Sequence, residues 1–155
     1  MAALLAVDLG VRTGLAAWGD DARLRWYRSH NFGSAARLRR AVPGLLAAEP
    51  DVARLVVEGG GALLEPWAAG AAARGIAVTR VSAEAWRALL LLPRERRTGE
   101  GAKRTARVLA RRVIEWAGAR RPTSLTHDAA EAILVGLYGV LAAGWLRELP
   151  GELLR

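Results

Sequence analysis

A chain of 155 residues, 52% of them apolar and none of them cysteine, is long enough for one core and excludes disulfide frameworks and thiolate metal sites. Any metal has to be held by carboxylates, with His30 and His127 as the remaining candidates. The formal net charge of +8, supplied almost wholly by arginine, argues for a polyanionic partner and carries no information about fold.

The first segment, Ala2 to Val7, is a continuous apolar run ending in Asp8, the pattern of a strand buried on both faces. It lacks a basic leader, so it is expected to be a strand and not a signal peptide. No apolar run approaches the ~20 residues that span a bilayer, and a cytoplasmic location follows by default. Gly10 to Gly14 reads as a turn and Leu15 to Trp18 as a second strand. Leu24 to Phe32 reads as a third, antiparallel strand, with Leu24, Trp26 and Phe32 on one face and Arg28 and His30 between them. Ser34 is placed to cap a helix carrying Leu38, which Pro43 is expected to kink or split.

Ala53 to Val57 predicts a fourth strand, ending at Glu58. Gly59, Gly60 and Gly61 follow, then an Ala-rich helix to about Arg74. This glycine run lacks the Lys-Ser/Thr of a phosphate loop and suits close backbone approach at a site mouth. Ile76 to Val81 is the fifth strand. Ser82 caps a helix through Trp86 to Leu92, with Glu84 in its first turn. Pro93 to Ala102, charged and containing glycines, is expected to be a loop, Lys103 to Gly118 a helix, and His127 to about Leu146 a last helix capped by Thr126 or Ser124. Three strands, then helix, strand, helix, strand and helices describe an α/β fold: a mixed five-stranded sheet flanked by helices, in one domain over residues 1–155.

The acids fall at telling places. Asp8 ends the first strand and Glu58 the fourth; Asp128 and Glu131 lie three apart on one face of the last helix. Each alone has an ordinary role as a turn or helix-capping acid. Together they could converge at one end of the sheet, where crowded carboxylates demand cations, and hard divalent ions with oxygen ligands meet that demand.

AVDLGVRTGLA (Ala6 to Ala16), LVVEGGG (Leu55 to Gly61), RGIAVTRVSAEAWRALLL, TGEGAK (Thr98 to Lys103) and HDAAEAILVGLYG (His127 to Gly139) stand in this order over nearly the whole chain. They resemble the motifs of RuvC-type Holliday-junction resolvases, nucleases of the RNase H-like superfamily. The resemblance implies an RNase H-like fold and a metal-dependent endonuclease of branched DNA that resolves four-way junctions in recombination and repair. It implies two Mg²⁺ or Mn²⁺ ions bound by Asp8, Glu58, Asp128 and Glu131. Lys103, the only lysine, would lie near the scissile phosphate. Arg12, Arg94, Arg96, Arg97 and Arg104 would contact the nucleic-acid backbone. A homodimer is implied too, with its contact on the helix from Ala62 to Arg74. There Ala62, Ala68, Ala69, Gly70, Ala71, Ala72 and Ala73 allow close approach, while Leu63, Leu64 and Trp67 supply apolar area.

The chain departs from that pattern at three points. Glu131 stands where the resolvases usually have Asp. His127 precedes the acid pair and is four residues from Glu131, so both can face the site. Gly61 stands where the resolvases carry an aromatic that invades the junction, and Trp67, a turn or more later, is expected in the core or an interface. Two other readings share the fold: an RNA-processing nuclease of the YqgF type, and a basic nucleic-acid binder that has lost the chemistry. An actin-like or sugar-kinase ATPase also begins with Asp-x-Gly-x-x-x-Gly, but it needs a second domain of this fold, for which the chain has no room.

Overall fold

Ala3, Leu4, Leu5, Ala6 and Val7 are all buried, because their strand lies at the centre of a sheet covered on both faces. The computed structural model describes residues 1–154. Its elements are β1 (Ala3–Asp8), β2 (Arg12–Gly19), β3 (Leu24–Asn31), α1 (Ala35–Ala47), β4 (Val52–Glu58), α2 (Leu64–Ala73), β5 (Ala77–Val81), α3 (Ala83–Leu90), α4 (Gly99–Ala117) and α5 (His127–Ala142). The five strands form one sheet in the order β3-β2-β1-β4-β5. The pairs β1/β2 and β2/β3 are antiparallel, and β1/β4 and β4/β5 are parallel. This is the mixed, helix-flanked sheet expected from the order of elements.

The sheet divides the core in two. On one face α4 and α5 cover Leu4, Ala6, Trp18 and Val56, with Trp86 of α3 in the same layer. On the other, α1 and α2 cover Leu5, Val7, Leu15 and Leu55, with Trp67 fully buried among them. Burial of side chains this size contributes roughly 1.5–3 kcal/mol each. No helix among the described residues is long and apolar enough to cross a membrane.

Several local expectations change. The second strand starts at Arg12, not Leu15, so the turn between β1 and β2 is shorter than its glycines suggest. In β3 the register slips by one residue opposite Ala17 and Trp18. Trp26 and Phe32 share the α1/α2 face as expected, but the slip turns Leu24 to the opposite layer. α1 runs uninterrupted through Pro43, which is exposed, so water can satisfy the carbonyl that its missing N–H leaves free.

The segment expected to be a loop up to Ala102 is instead a 3₁₀ turn, Pro93–Glu95, followed by a helix that begins at Gly99. Thr98 caps it by accepting from the Gly101 N–H at 2.9 Å. A Cβ at Gly101 would press on that same hydroxyl, so the glycine that lowered the helix expectation is what makes room for the cap. α5 ends at Ala142, not Leu146, and Gly144 follows in the left-handed region.

Candidate metal centre

The parallel register of β1 and β4 sets Asp8 directly beside Glu58 at the carboxyl ends of both strands. α5 brings the third acid. Its first turn is capped by Thr126, which accepts from the Ala129 N–H at 3.3 Å, and it lies across β2 and β1. Gly14 of β2 permits this: a Cβ there would collide with the Asp128 carbonyl oxygen, so any side chain at this position pushes the start of α5 off the sheet. The neighbouring Thr13 is buried and donates to the Gly10 carbonyl at 2.7 Å, which fixes the turn carrying Asp8. The Thr-Gly pair thus serves packing and the turn.

One carboxylate oxygen from each of Asp8, Glu58 and Glu131 lies within 4.8 Å of the others. Glu131 is only 5% exposed. Burial pushes the Asp8 carboxyl up to about 9, helped by a hydrogen bond with Glu58 and by the charges of Glu131, Glu58 and Asp128. Burial raises the Glu131 carboxyl as well, against the pull of His127. Three hard oxygen donors that cannot all ionise unaided are a donor set suited to Mg²⁺ or Mn²⁺. Asp128 is outside this tight trio. It is half-buried, close enough to act on the Asp8 charge, and approached by the Ser29 hydroxyl at 3.4 Å.

His127 Nε2 and Arg87 Nη2 both meet Glu131 Oε1 at 3.1 Å. Two other nitrogens of these side chains, His127 Nδ1 and Arg87 Nε, are buried without a hydrogen-bond partner. His127 therefore faces the site, as its spacing from Glu131 allows. Arg87 was not singled out in the sequence; its only signal is a lone cation beside buried Trp86 on a short helix. Arg87→Met is expected to destabilise the fold by about 1–3 kcal/mol, because Glu131 is left buried with fewer donors. Arg87→Met combined with Glu131→Met should recover much of that loss. Urea unfolding of both single variants and the double variant measures the coupling, and strictly additive losses would show that the pair does not act as a unit.

His127, which meets Glu131, also lines a groove of about 610 Å³ with Gly99, Glu100, Lys103, Arg104 and Arg107. Lys103, the only lysine, and Arg104 are exposed there. Arg94, Arg96 and Arg97 are exposed on the segment leading into α4, and Arg12 is exposed at the start of β2. His30 stacks on Phe32 at 4.2 Å and is not part of the acid cluster. Gly61 has a left-handed φ of 77° and open space where a side chain would stand. Trp67 belongs to the core and offers nothing to a DNA branch.

On the other side, α2 spends much of its small-residue surface on its own chain. Ala71 is buried, and Gly70 sits against Leu46 and Val42 of α1. Ala62, Ala69, Ala72 and Ala73 remain exposed.

No protein-family model and no curated protein matches the chain. Among solved structures it is similar to Thermus thermophilus RuvC in complex with a Holliday junction substrate. That match has a TM-score of 0.64 at 16% identity, over 93% of this chain and 96% of the other. It is also similar to the yeast mitochondrial Holliday junction resolvase, with a TM-score of 0.59 at 11% identity over 93% of this chain and 81% of the other. The chain has the RNase H-like fold of these RuvC-type resolvases.

Proposed function

We propose that the chain works as a single nuclease domain that hydrolyses phosphodiester bonds in branched DNA, with the four-way junction as its substrate and paired nicks as its products. The observation that carries this reading is the cluster of Asp8, Glu58 and Glu131 within 4.8 Å, whose Glu131 meets His127 on the wall of a groove lined by Lys103, Arg104 and Arg107. A similar fold is found in a RuvC that binds a Holliday junction substrate.

In this reading Asp8, Glu58 and Glu131 hold divalent cations, Mg²⁺ or Mn²⁺, and Asp128 completes the set from the first turn of α5. When bound, two such ions supply activation of the attacking water and stabilisation of the leaving oxygen. Arg87 and His127 hold the Glu131 carboxylate in place and offset its charge. Lys103 stands beside the scissile phosphate and opposes the charge that develops on it. Arg104, with Arg12, Arg94, Arg96 and Arg97, contacts backbone phosphates and positions the strand. Two symmetric nicks require two sites related by a two-fold axis, so the active unit is a homodimer. The exposed alanines of α2 are its contact.

Cleavage assays with Mg²⁺ or Mn²⁺ on a four-way junction, a linear duplex and a structured RNA test the proposal. Symmetric nicks on the junction and none on the duplex are expected. Cleavage confined to RNA would favour the YqgF-type reading, and tight binding without cleavage of any substrate would favour the non-catalytic one.

A further inference from the structure

The groove that His127 shares with the start of α4 is the first of three clefts, two along α4 and a third between the segment after it and β3. A second, of about 410 Å³, lies further along the helix and is lined by Arg111, Arg112 and Glu115 of α4 and by Arg121, which pairs with Glu115 at 3.4 Å. A third, of about 390 Å³, shares Arg121 and Pro122 with the second and reaches Arg25, Trp26 and Tyr27 on β3. The Tyr27 hydroxyl donates to the Arg120 carbonyl at 2.5 Å, which ties the segment carrying Arg121 to the edge of the sheet.

From residue 103 to residue 112 the helix carries Lys103, Arg104, Arg107, Arg111 and Arg112 and no acid. All five are exposed, and none has an ion-pair partner among the described residues. Lys103, Arg107 and Arg111 follow one another at four-residue spacing, so their like charges repel along one ridge. The opposite, apolar stripe of α4, from Ala102 to Ile114, holds the helix on the sheet without help from these cations. Elsewhere cations of the helical layers have partners: Arg121 meets Glu115 at the end of α4 at 3.4 Å, and Arg39 of α1 meets Glu65 of α2 at 2.9 Å. The row on α4 is therefore a local cost that folding does not require, and a polyanion would relieve it.

Its dimensions suit one ligand. At 1.5 Å rise per residue the span from Lys103 to Arg112 is roughly 13 Å. Along the duplex axis one strand presents a phosphate about every 3.4 Å, and successive phosphates also turn around that axis, so a ridge of this length meets only a few of them at once. We propose that the outer face of α4, continued by Arg121, is a second phosphate-binding track that holds a duplex arm as it leaves the cleavage centre. The proposal rests on the nuclease reading above and extends it, because Arg107, Arg111, Arg112 and Arg121 lie beyond the residues assigned to the scissile strand. The track reads no sequence, since it meets only phosphates. Its contribution is to affinity and to the path of the arm.

The test is the salt dependence of junction binding in metal-free buffer, where no cutting occurs, followed by fluorescence anisotropy. Removing three phosphate contacts with the combined variant Arg111→Ala, Arg112→Ala and Arg121→Ala is expected to flatten the slope of log affinity against log salt by about 2 to 3. The corresponding Arg→Lys triple variant keeps the charges and is expected to keep the slope. A junction whose arm phosphates are replaced by neutral methylphosphonates should lower the wild-type slope to that of the alanine variant, with no further loss when the two changes are combined. Equal slopes for the wild type and the alanine variant on the unmodified junction would overturn the track and leave the cleavage centre standing. A wild-type protein that binds no branched DNA would overturn the nuclease reading and the track with it.

Discussion

Asp8→Asn is expected to reduce junction cleavage by a factor of about a thousand or more, while junction binding stays equal or becomes tighter. Asp8 is the residue on which the centre converges. The β1/β4 register places it against Glu58, and the charges of Glu131 and Asp128 also act on it. Asparagine has nearly the same shape and can keep a hydrogen bond to Glu58, so the end of β1 has no reason to move. What it removes, in the metal-loaded centre of this reading, is one hard anionic ligand and with it one negative charge facing the substrate phosphates; without metal the Asp8 carboxyl already keeps its proton. The first loss is felt by the chemistry, and the second favours the polyanion. Single-turnover cleavage and anisotropy on the same junction separate the two. A fully active Asp8→Asn protein would place the reacting centre elsewhere in the fold.

The acids were legible in the sequence because each ends or begins an element with a strong pattern of its own. An apolar run that stops at Asp8 and another that stops at Glu58 fix those residues at strand ends. A capping threonine just before Asp128 fixes the start of α5. What the pattern could not supply was register. The one-residue slip in β3 reverses Leu24 relative to Trp26, and nothing in the alternation of Leu24 to Phe32 announces it. Reading the Gly99-Glu-Gly101 stretch as loop followed from glycine propensity. The structure shows a first helical turn, where the glycine penalty is offset by a cap that needs the space.

The distinction between Glu131, deep in the trio, and Asp128 at its margin is also a matter of geometry. The two lie on one helix face, but one turn of α5 moves the carboxylate from the Ser29 side to the Arg87 side. Glu131, which stands where the resemblance leads one to expect the shorter aspartate, is held there by two nitrogen donors from different elements, His127 of α5 and Arg87 of α3. The pair with α3 joins residues 87 and 131, a contact that no local pattern can reveal. The small residues of α2 show the opposite limit. Their composition suggested a surface for a second copy, yet Gly70 and Ala71 are used for packing within the chain.

The stability of the metal-free protein is expected to fall as pH rises from about 5 to about 8, and divalent cations should reverse the trend. The Asp8 carboxyl stands at about 9 in the folded chain against an ordinary value of 3.8. Between those values the unfolded chain has lost a proton that the folded chain keeps. Stability therefore decreases with rising pH, by up to about 1.4 kcal/mol per pH unit for one such proton. The contribution is fully present below the unfolded value and is gone once pH has passed the folded one. Burial raises the Glu131 carboxyl in the same direction. Asp51 opposes them: its hydrogen bond from Arg25 lowers its carboxyl, so its contribution is lost as pH falls and limits stability only on the acid side. A cation that binds only the folded centre stabilises it by mass action, and its affinity grows as the carboxylates shed their protons. Urea unfolding near pH 5 and near pH 8, with and without Mg²⁺ or Mn²⁺, measures both effects. Asp8→Asn should flatten the metal-free pH dependence and shrink the gain from metal. Metal-free stability that is level or rising over this range in the wild type would mean that the three carboxylates are not held together as the fold requires.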